Sequence, residues 1–339
     1  MARSILVVRL GALGDLVHAL PAVAALRAAW PDARIDWLVD GRYAALLAMV
    51  PIIDRAIVVG GAAGASTLSV LRALRRGRYD AAIDLQGLLK SAAFARFSGA
   101  RDTIGFATAQ LRERAASLLY TTRVRADDRG HVIRKNLSLV RALGIAADAM
   151  TCPLVVPPTP KLAEVRTLLG AGDAGAFAVI NPGAGWPNKQ WPADRYGAVA
   201  AHLGRRHGLP SLVAWGPGEL ELAERVAVAS EGAARVAPAT SLADLVALAR
   251  AAALFVAGDT GPLQLAAAVG TPVVGVFGPT NPARNGPWAD DDVCVSRFDE
   301  CECHHKRRCR RPTPCIEAIA PQEVIDAVDR RLAKRGARG

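Results

Sequence analysis

The sequence predicts an α/β protein built from two doubly wound parallel-sheet domains. Three observations carry that reading. Short aliphatic runs alternate with amphipathic stretches, a proline-dense segment interrupts the alternation near mid-chain, and the alternation then restarts. At 339 residues there is enough chain for two cores of ordinary size. Nearly continuous aliphatic strands are expected where a sheet is covered by helices on both faces, which is the parallel arrangement.

The first strand is expected over 4–9 (SILVVR), and a helix follows over 16–30. Further strands read at 34–39, 56–59 and 81–85, with helical patterns at 43–49, 66–76 and 88–98 between them. Four prolines then crowd 152–160 (CPLVVPPTP). Such sequence cannot continue a helix and forms a stiff extended connector. Beyond it, strands read at 177–181, 211–215, 254–258 and 273–277. Helices read at 193–207, 220–229, 242–252 and 263–269, and a last one at 321–335. No short-period repeat is present, which argues against a solenoid. The expected division is a first domain over 1–155, a second over 160–320, and a C-terminal helix with a basic tail over 321–339. Ligands of open parallel sheets bind beyond the carboxyl ends of the strands, so two such sheets facing across a cleft would suit an enzyme that joins two substrates.

Hydrophobic residues make up 51% and charged residues 22%, a globular composition rather than a disordered one. Aromatics are only 5%, so aliphatic packing must supply the core. The most apolar stretch, 245–277, is broken by Arg250, Asp259, Pro262 and Pro272, whereas a membrane span needs about 20 nearly uninterrupted apolar residues. The N-terminus mimics a short signal peptide, but Arg9 and Asp15 interrupt its apolar region, and a cytoplasmic protein is expected. Membrane contact would be peripheral.

The formal net charge of +11 favours an anionic partner. Only six of the 42 basic residues are lysine, a bias that removes meaning from Arg over Lys at any one position. Much of the surplus lies late: Lys306, Arg307, Arg308, Arg310 and Arg311, then Arg330, Arg331, Lys334, Arg335 and Arg338. A solvated surface and an anionic docking face account for it equally well.

Three loops carry chemistry. The first, Gly11-Ala-Leu-Gly14-Asp15, joins the first strand to its helix, where glycines let backbone approach a ligand and the helix N-terminus favours anions. Its G-x-x-G spacing is not that of dinucleotide binders, although Asp40 ends the second strand where such a binder would hold ribose. On local pattern, Asp15 reads equally as a helix cap or as a catalytic residue. The second loop runs from Asn181 to Lys189 (NPGAGWPNK) and reads as a diphosphate clamp or as a turn with a surface lysine. The third is Gly258-Asp259-Thr260-Gly261-Pro262, a polar insert between very apolar stretches. Pro262 fits a first helical turn, and the amides of Thr260 and Gly261 would point at a phosphate. Finally, Cys301, Cys303, His304, His305, Cys309 and Cys315 fall within fifteen residues. They could hold a metal, but Cys-x-Cys is not the usual knuckle spacing, and reduced thiols in a basic loop are the favoured reading.

Taken together, these pieces resemble glycosyltransferase family 9, the ADP-heptose:lipopolysaccharide heptosyltransferases, and most closely their heptosyltransferase I type. The resemblance covers nearly the whole chain. It rests on VRLGALGDLVHALP (8–21), YDAAIDLQGLLKS (79–91), Asn188-Lys189-Gln-Trp191-Pro, and Gly258-Asp259-Thr260-Gly261-Pro262 with Phe277-Gly-Pro-Thr280 downstream. The segment from Gln86 to Ser91 points to the first-heptose type. The resemblance implies the GT-B fold, with two Rossmann-like domains, the acceptor bound by the first and ADP-heptose by the second. It implies an inverting displacement that requires no metal, with Asp15 as general base near Gly14. Lys189, Thr260 and Gly261 would steady the leaving diphosphate, Asp259 would shape the loop or contact the sugar, and Glu219 would meet the ribose hydroxyls. The acceptor implied is an anionic Kdo-bearing lipid A, with Lys90, Arg101 and Arg123 as contacts. Many relatives carry His where this chain has Gln264, which leaves the fine specificity open.

Other classes compete. An iron-binding subset of the family modifies proteins, and the cysteine cluster keeps that acceptor in view. A nucleotide-sugar epimerase shares the architecture and would act without an acceptor. Nucleic-acid binding through the basic tail lacks any recognised motif or interleaved aromatics, so no nucleic acid is expected as partner.

Overall fold

The computed structural model describes residues 3–60, 66–172, 175–304, 306, 307, 309 and 311–336. The chain divides into two compact units, Met1–Val155 and Val156–Gly339. The first holds strands β1 (Ser4–Val8), β2 (Arg34–Asp40), β3 (Arg55–Val59), β4 (Ala81–Asp84), β5 (Asp102–Phe106) and β6 (Thr122–Val124). Its helices are α1 (Leu13–Val17), α2 (Leu20–Ala29), α3 (Ala44–Leu47), α4 (Thr67–Arg76), α5 (Leu89–Phe97) and α6 (Val132–Arg141). All strand pairs are parallel, in the order β3-β2-β1-β4-β5-β6.

The second unit holds β7 (Ala178–Asn181), β8 (Ser211–Val213), β9 (Ala234–Val236), β10 (Leu254–Gly258), β11 (Val273–Phe277) and β12 (Val293–Ser296). Helices α7 (Lys161–Leu169), α8 (Ala193–His207), α9 (Leu220–Ala229), α10 (Leu242–Ala251), α11 (Gly261–Ala268), α12 (Pro282–Asn285) and α13 (Pro321–Gly336) cover them. The order β12-β11-β10-β7-β8-β9 is the first unit's order read from the opposite edge. In both sheets, then, the path turns back between the first and fourth strands: β1 beside β4, and β7 beside β10. Ligands of such folds bind at that switch point.

Alternation of side chains explains the layering. Val179 and Phe255 pack with α7, α10 and α11 on one face of the second sheet. Ile180 and Val256 pack on the other with α8, α9 and α13. Truncating such a fully buried Ile or Val to Ala costs roughly 1–5 kcal/mol. In the first unit, Leu6, Val8, Leu38 and Ile57 meet Val70 and Leu74 of α4 and Phe94 of α5.

Several elements depart from the sequence reading. The helix expected over 16–30 is two, because Pro21 lacks an N–H and its ring clashes with the preceding turn, so the chain re-enters a helix at Leu20. The helix expected over 43–49 is a 3₁₀ turn (Gly41–Tyr43) followed by one α-turn. Strands β5, β6, β9 and β12 and helices α6, α7 and α12 were not anticipated. Three of those strands are sheet edges of three or four residues, and in two of them a central Arg123 or Arg235 hides the aliphatic signal.

The last helix belongs to the second unit's core, with Val324, Ala327 and Val328 fully buried. His202 and His207 of α8 both contact Asp329 Oδ1, at 2.8 and 2.7 Å. Nor is the basic surplus at this end all solvated: Arg331 is buried, and its Nε lies 2.9 Å from Oδ1 of Asp292, whose side chain is 1% exposed. Arg308, Arg310, Arg338 and His305 lie outside the described residues. Among the described residues, no helix is long and apolar enough to cross a membrane.

Candidate active site

In the first unit, Val8 and Asp84 are register partners, so the loops leaving β1 and β4 emerge side by side. The β4 loop locks the β1 loop in place. Gln86 Oε1 accepts the Leu10 N–H at 2.7 Å, and an Arg9 guanidinium N–H meets the Leu85 carbonyl at 2.5 Å. Beneath them the buried Asp84 accepts from the Gln86 and Gly87 amides, Ser91 and the Tyr120 hydroxyl. Burial pushes the Asp84 carboxyl up, and these four donors pull against it. At Gly11 a Cβ would come within 2.5 Å of the Tyr43 ring, so a side chain there would lift the loop off its support.

Asp15 lies in the first turn of α1, one residue after Gly14, whose carbonyl accepts the His18 N–H at 2.9 Å. Its Oδ2 takes both the Arg9 guanidinium at 2.7 Å and the Ala12 amide at 3.2 Å. Local helix capping and a charged partner thus coincide in one side chain. The Asp15 side chain keeps 45% of its surface exposed, whereas Arg9 keeps 12%. Burial pushes the carboxyl up, but Arg9, His18 and the Ala12 amide together hold it below the ordinary aspartate value. The arrangement presents a reachable carboxylate held below the ordinary aspartate range.

Asp40 is occupied otherwise. It caps the Gly41–Tyr43 turn through the Arg42 amide and pairs with the Arg42 guanidinium at 2.9 Å. Lys90 is exposed on the first turn of α5, close enough to help hold the Asp40 carboxyl low. Arg101 is exposed, and Arg123 directs its Nε to the Ser117 carbonyl at 2.8 Å.

In the second unit, Asn181 and Ala257 are register partners, which brings together the loops leaving β7 and β10. Lys189 Nζ and Asp259 Oδ2 meet there at 2.6 Å, and each side chain is only 13% exposed. The motif around Lys189 explains how it is held. Trp191 is fully buried, with its indole N–H on the Ile319 carbonyl at 3.0 Å, and Asn188 donates to the Lys306 carbonyl at 2.9 Å. The ammonium also sits 4.4 Å from the centre of the Trp186 ring, a cation–π distance. Thr260 caps α11, its Oγ1 accepting from Leu263 N, and Gly261 with Pro262 opens the helix. Gln264 is buried, and its side-chain amide donates to the Asn285 carbonyl at 2.6 Å.

Glu219 precedes α9 and accepts the Gly216 N–H at 2.9 Å. Its carboxylate presses on Gly183, where a Cβ would lie 2.3 Å from it. Lys189, Asp259, Thr260, Gly261 and Glu219 therefore gather around one sheet end. Asp15, Gly14 and Lys90 belong to the other unit. Sequence reasoning missed Arg9, Asp84, Trp186 and Arg307, the last with its guanidinium 6.0 Å from the Trp186 ring. Arg9 and Trp186 sit inside segments already singled out, and only contact geometry gives them a part.

Residues 67–315 match the family model described as glycosyltransferase family 9 (heptosyltransferase). The chain is 30% identical to lipopolysaccharide heptosyltransferase 1 of Pseudomonas aeruginosa, over 97% of this chain and 98% of that protein. Among solved structures it resembles a family 9 glycosyl transferase from Veillonella parvula, with a TM-score of 0.82 at 23% identity, covering 98% and 97% of the two chains. It also resembles the E. coli heptosyltransferase WaaC with ADP-2-deoxy-2-fluoro heptose, with a TM-score of 0.73 at 25% identity, covering 98% and 99%.

Proposed function

Because the chain belongs to glycosyltransferase family 9, we propose that it moves heptose from ADP-heptose onto the Kdo-lipid A inner core of lipopolysaccharide. The fold is GT-B, two Rossmann-like parallel sheets, and the chain is a glycosyltransferase. The single observation that carries the mechanism is the shielded Lys189–Asp259 pair at the switch point beside the start of α11.

An ammonium has three N–H donors, and Asp259 holds it by one of them. The others are directed to the donor diphosphate, together with the amides at Thr260 and Gly261 where α11 begins. Charge growing on departing ADP is met by these groups, the part a divalent cation fills in other transferases. Asp259 is a positioning residue on this reading. Glu219 meets the ribose hydroxyls. In the first unit Asp15 Oδ1 takes the proton of the acceptor hydroxyl, because Oδ2 is held by Arg9 and Ala12. Attack opposite the leaving group inverts the anomeric centre. The acceptor is anionic, and Lys90 with Gly14 lies on its side of the reaction. The reaction belongs in the cytoplasm, with peripheral contact at the inner face of the inner membrane.

Purified protein supplied with ADP-heptose and a set of truncated core acceptors tests this by mass spectrometry. The expected product is the Kdo-lipid A acceptor gaining one heptose as ADP accumulates. Heptose appearing on the protein fraction of a lysate instead, or a changed sugar nucleotide without any acceptor, would replace this reading.

A further inference from the structure

The C-terminal half of α8 carries two histidines that the transfer chemistry does not use. Five residues turn an α-helix by about 140°, so His202 and His207 do not share a face by spacing alone. Yet their rings stand 5.6 Å apart, centre to centre, and both Nε2 atoms close on one oxygen, Oδ1 of Asp329 on α13, at 2.8 and 2.7 Å. The left-handed Gly208 ends α8 directly after His207, so no further helical turn covers that ring. The two helices are fixed against each other by one buried cluster, Val199 and Leu203 from α8 with Val324, Ala327 and Val328 from α13. That packing holds three metal-ligating atoms within 4.8 Å of one another.

The Asp329 side chain is 42% exposed, so water can satisfy it, and two imidazoles converging on the same oxygen exceed what a hydrogen-bonded carboxylate needs. A tetrahedral zinc ion spaces its nitrogen and oxygen ligands about 3.4 Å apart. The carboxylate reaches that spacing by withdrawing about 0.6 Å, a small movement for an exposed side chain on a helix surface. Charge also favours a cation here. Two neutral imidazoles and one carboxylate sum to a single negative charge, and the end of α8 adds the negative pole of the helix dipole. Of the arginines beside these residues, Arg205 is paired with Glu231 and Arg331 with Asp292, while Arg206 and Arg330 are exposed to screening water. The rings themselves are partly exposed, which leaves an entry path for an ion and room for water to complete its shell.

We infer that His202, His207 and Asp329 bind one divalent transition-metal ion, of which zinc is the type, and that the ion clamps α13 to α8. Imidazole with carboxylate suits zinc, nickel and copper, whereas magnesium and calcium prefer oxygen alone. A neutral ring that gives its Nε2–H to Asp329 carries that proton on Nδ1 once Nε2 faces the ion, so binding requires no net proton release. The site lies apart from the switch point. From the Lys189 loop α8 runs back to Ser211, where β8 starts beside β7, so His207 stands near the strand starts and not their ends. The ion's part is structural, tying the last helix to the second unit, and it does not depend on the proposed function.

The test uses the full chain without an affinity tag, since a histidine tag would supply competing imidazoles. Calorimetric titration with zinc chloride should show one equivalent that the His202→Gln/His207→Gln double variant lacks. Thiols also take zinc, so the count is read as the difference between proteins of equal cysteine content. Zinc should raise the parent's Tm by a few degrees more than it raises the double variant's. Asp329→Asn keeps both rings and should weaken the zinc site by about tenfold or more, since loss of even an outer partner costs about 10–100-fold. In protein labelled with nitrogen-15 histidine, two of the six histidines should shift their ring nitrogens when zinc is added. Equal zinc counts in parent and double variant would overturn the inference. So would wild-type protein in which no histidine signal moves, a result that stands even if the variants fail to fold.

Discussion

The two sheets have one strand order and opposite chemistry at their switch points. In the first unit an acid stands 45% exposed while its cation keeps only 12% of its side chain exposed; in the second, acid and cation are both shielded, at 13% each. An exposed carboxylate anchored from below can reach a substrate proton without leaving its partner. A shielded ammonium held in place by Asp259 can instead meet an anion with little rearrangement, because its remaining N–H donors are positioned beforehand. The fold sets where ligands bind, and the loops set what is done to them.

The comparison breaks most sharply at the two charged groups. Asp15→Asn should lower turnover by about 10²–10⁴-fold with ADP-heptose affinity unchanged, since it removes the base and leaves the second unit alone. Turnover by mass spectrometry and donor affinity by calorimetry give the two readouts, and near-normal turnover would cost Asp15 its assignment. Lys189→Ala should do the converse. A loss of about 10²–10³-fold in kcat, by analogy with removal of one oxyanion donor, should come with weaker ADP binding. Unchanged kinetics would mean the diphosphate lies elsewhere.

How much of this was legible without coordinates differs by region. The β-strands beside the switch points were readable because buried parallel strands are unbroken aliphatic runs, as in Leu254–Gly258. The edge strands β6 and β9 were not, because three residues with a central arginine carry no period. Residues of the second site were legible as a set, since glycine, lysine and threonine at helix starts have a local physical meaning. Arg9 under Asp15 and Asp84 under Gln86 depend on pairings across 76 residues or on a buried network, and no local pattern shows them.

Asp259→Asn separates holding a cation from using it. The ammonium would lose its charged partner in a shielded place, which should cost on the order of 1–3 kcal/mol of stability. Bound diphosphate would then supply the missing negative charge. The variant should therefore show a lower Tm without ligand and a larger ADP-induced rise than the parent, with kcat down about tenfold. An equal rise in both proteins would place ADP away from Lys189.

The smallest effect tests the first unit's half of the comparison. Arg9 lowers the Asp15 carboxyl against the upward push of burial, so removing the guanidinium must raise it. On the proposed mechanism Asp15 acts in its ionised form, and the acid limb of kcat/KM should therefore move toward neutral pH in Arg9→Gln. Arg9→Lys keeps the charge and should recover most of the shift, though not the bond to the Leu85 carbonyl that fixes the loop. A profile that falls in height with its acid limb unmoved would mean Arg9 holds the loop's shape and leaves the charge state of Asp15 to His18 and the Ala12 amide.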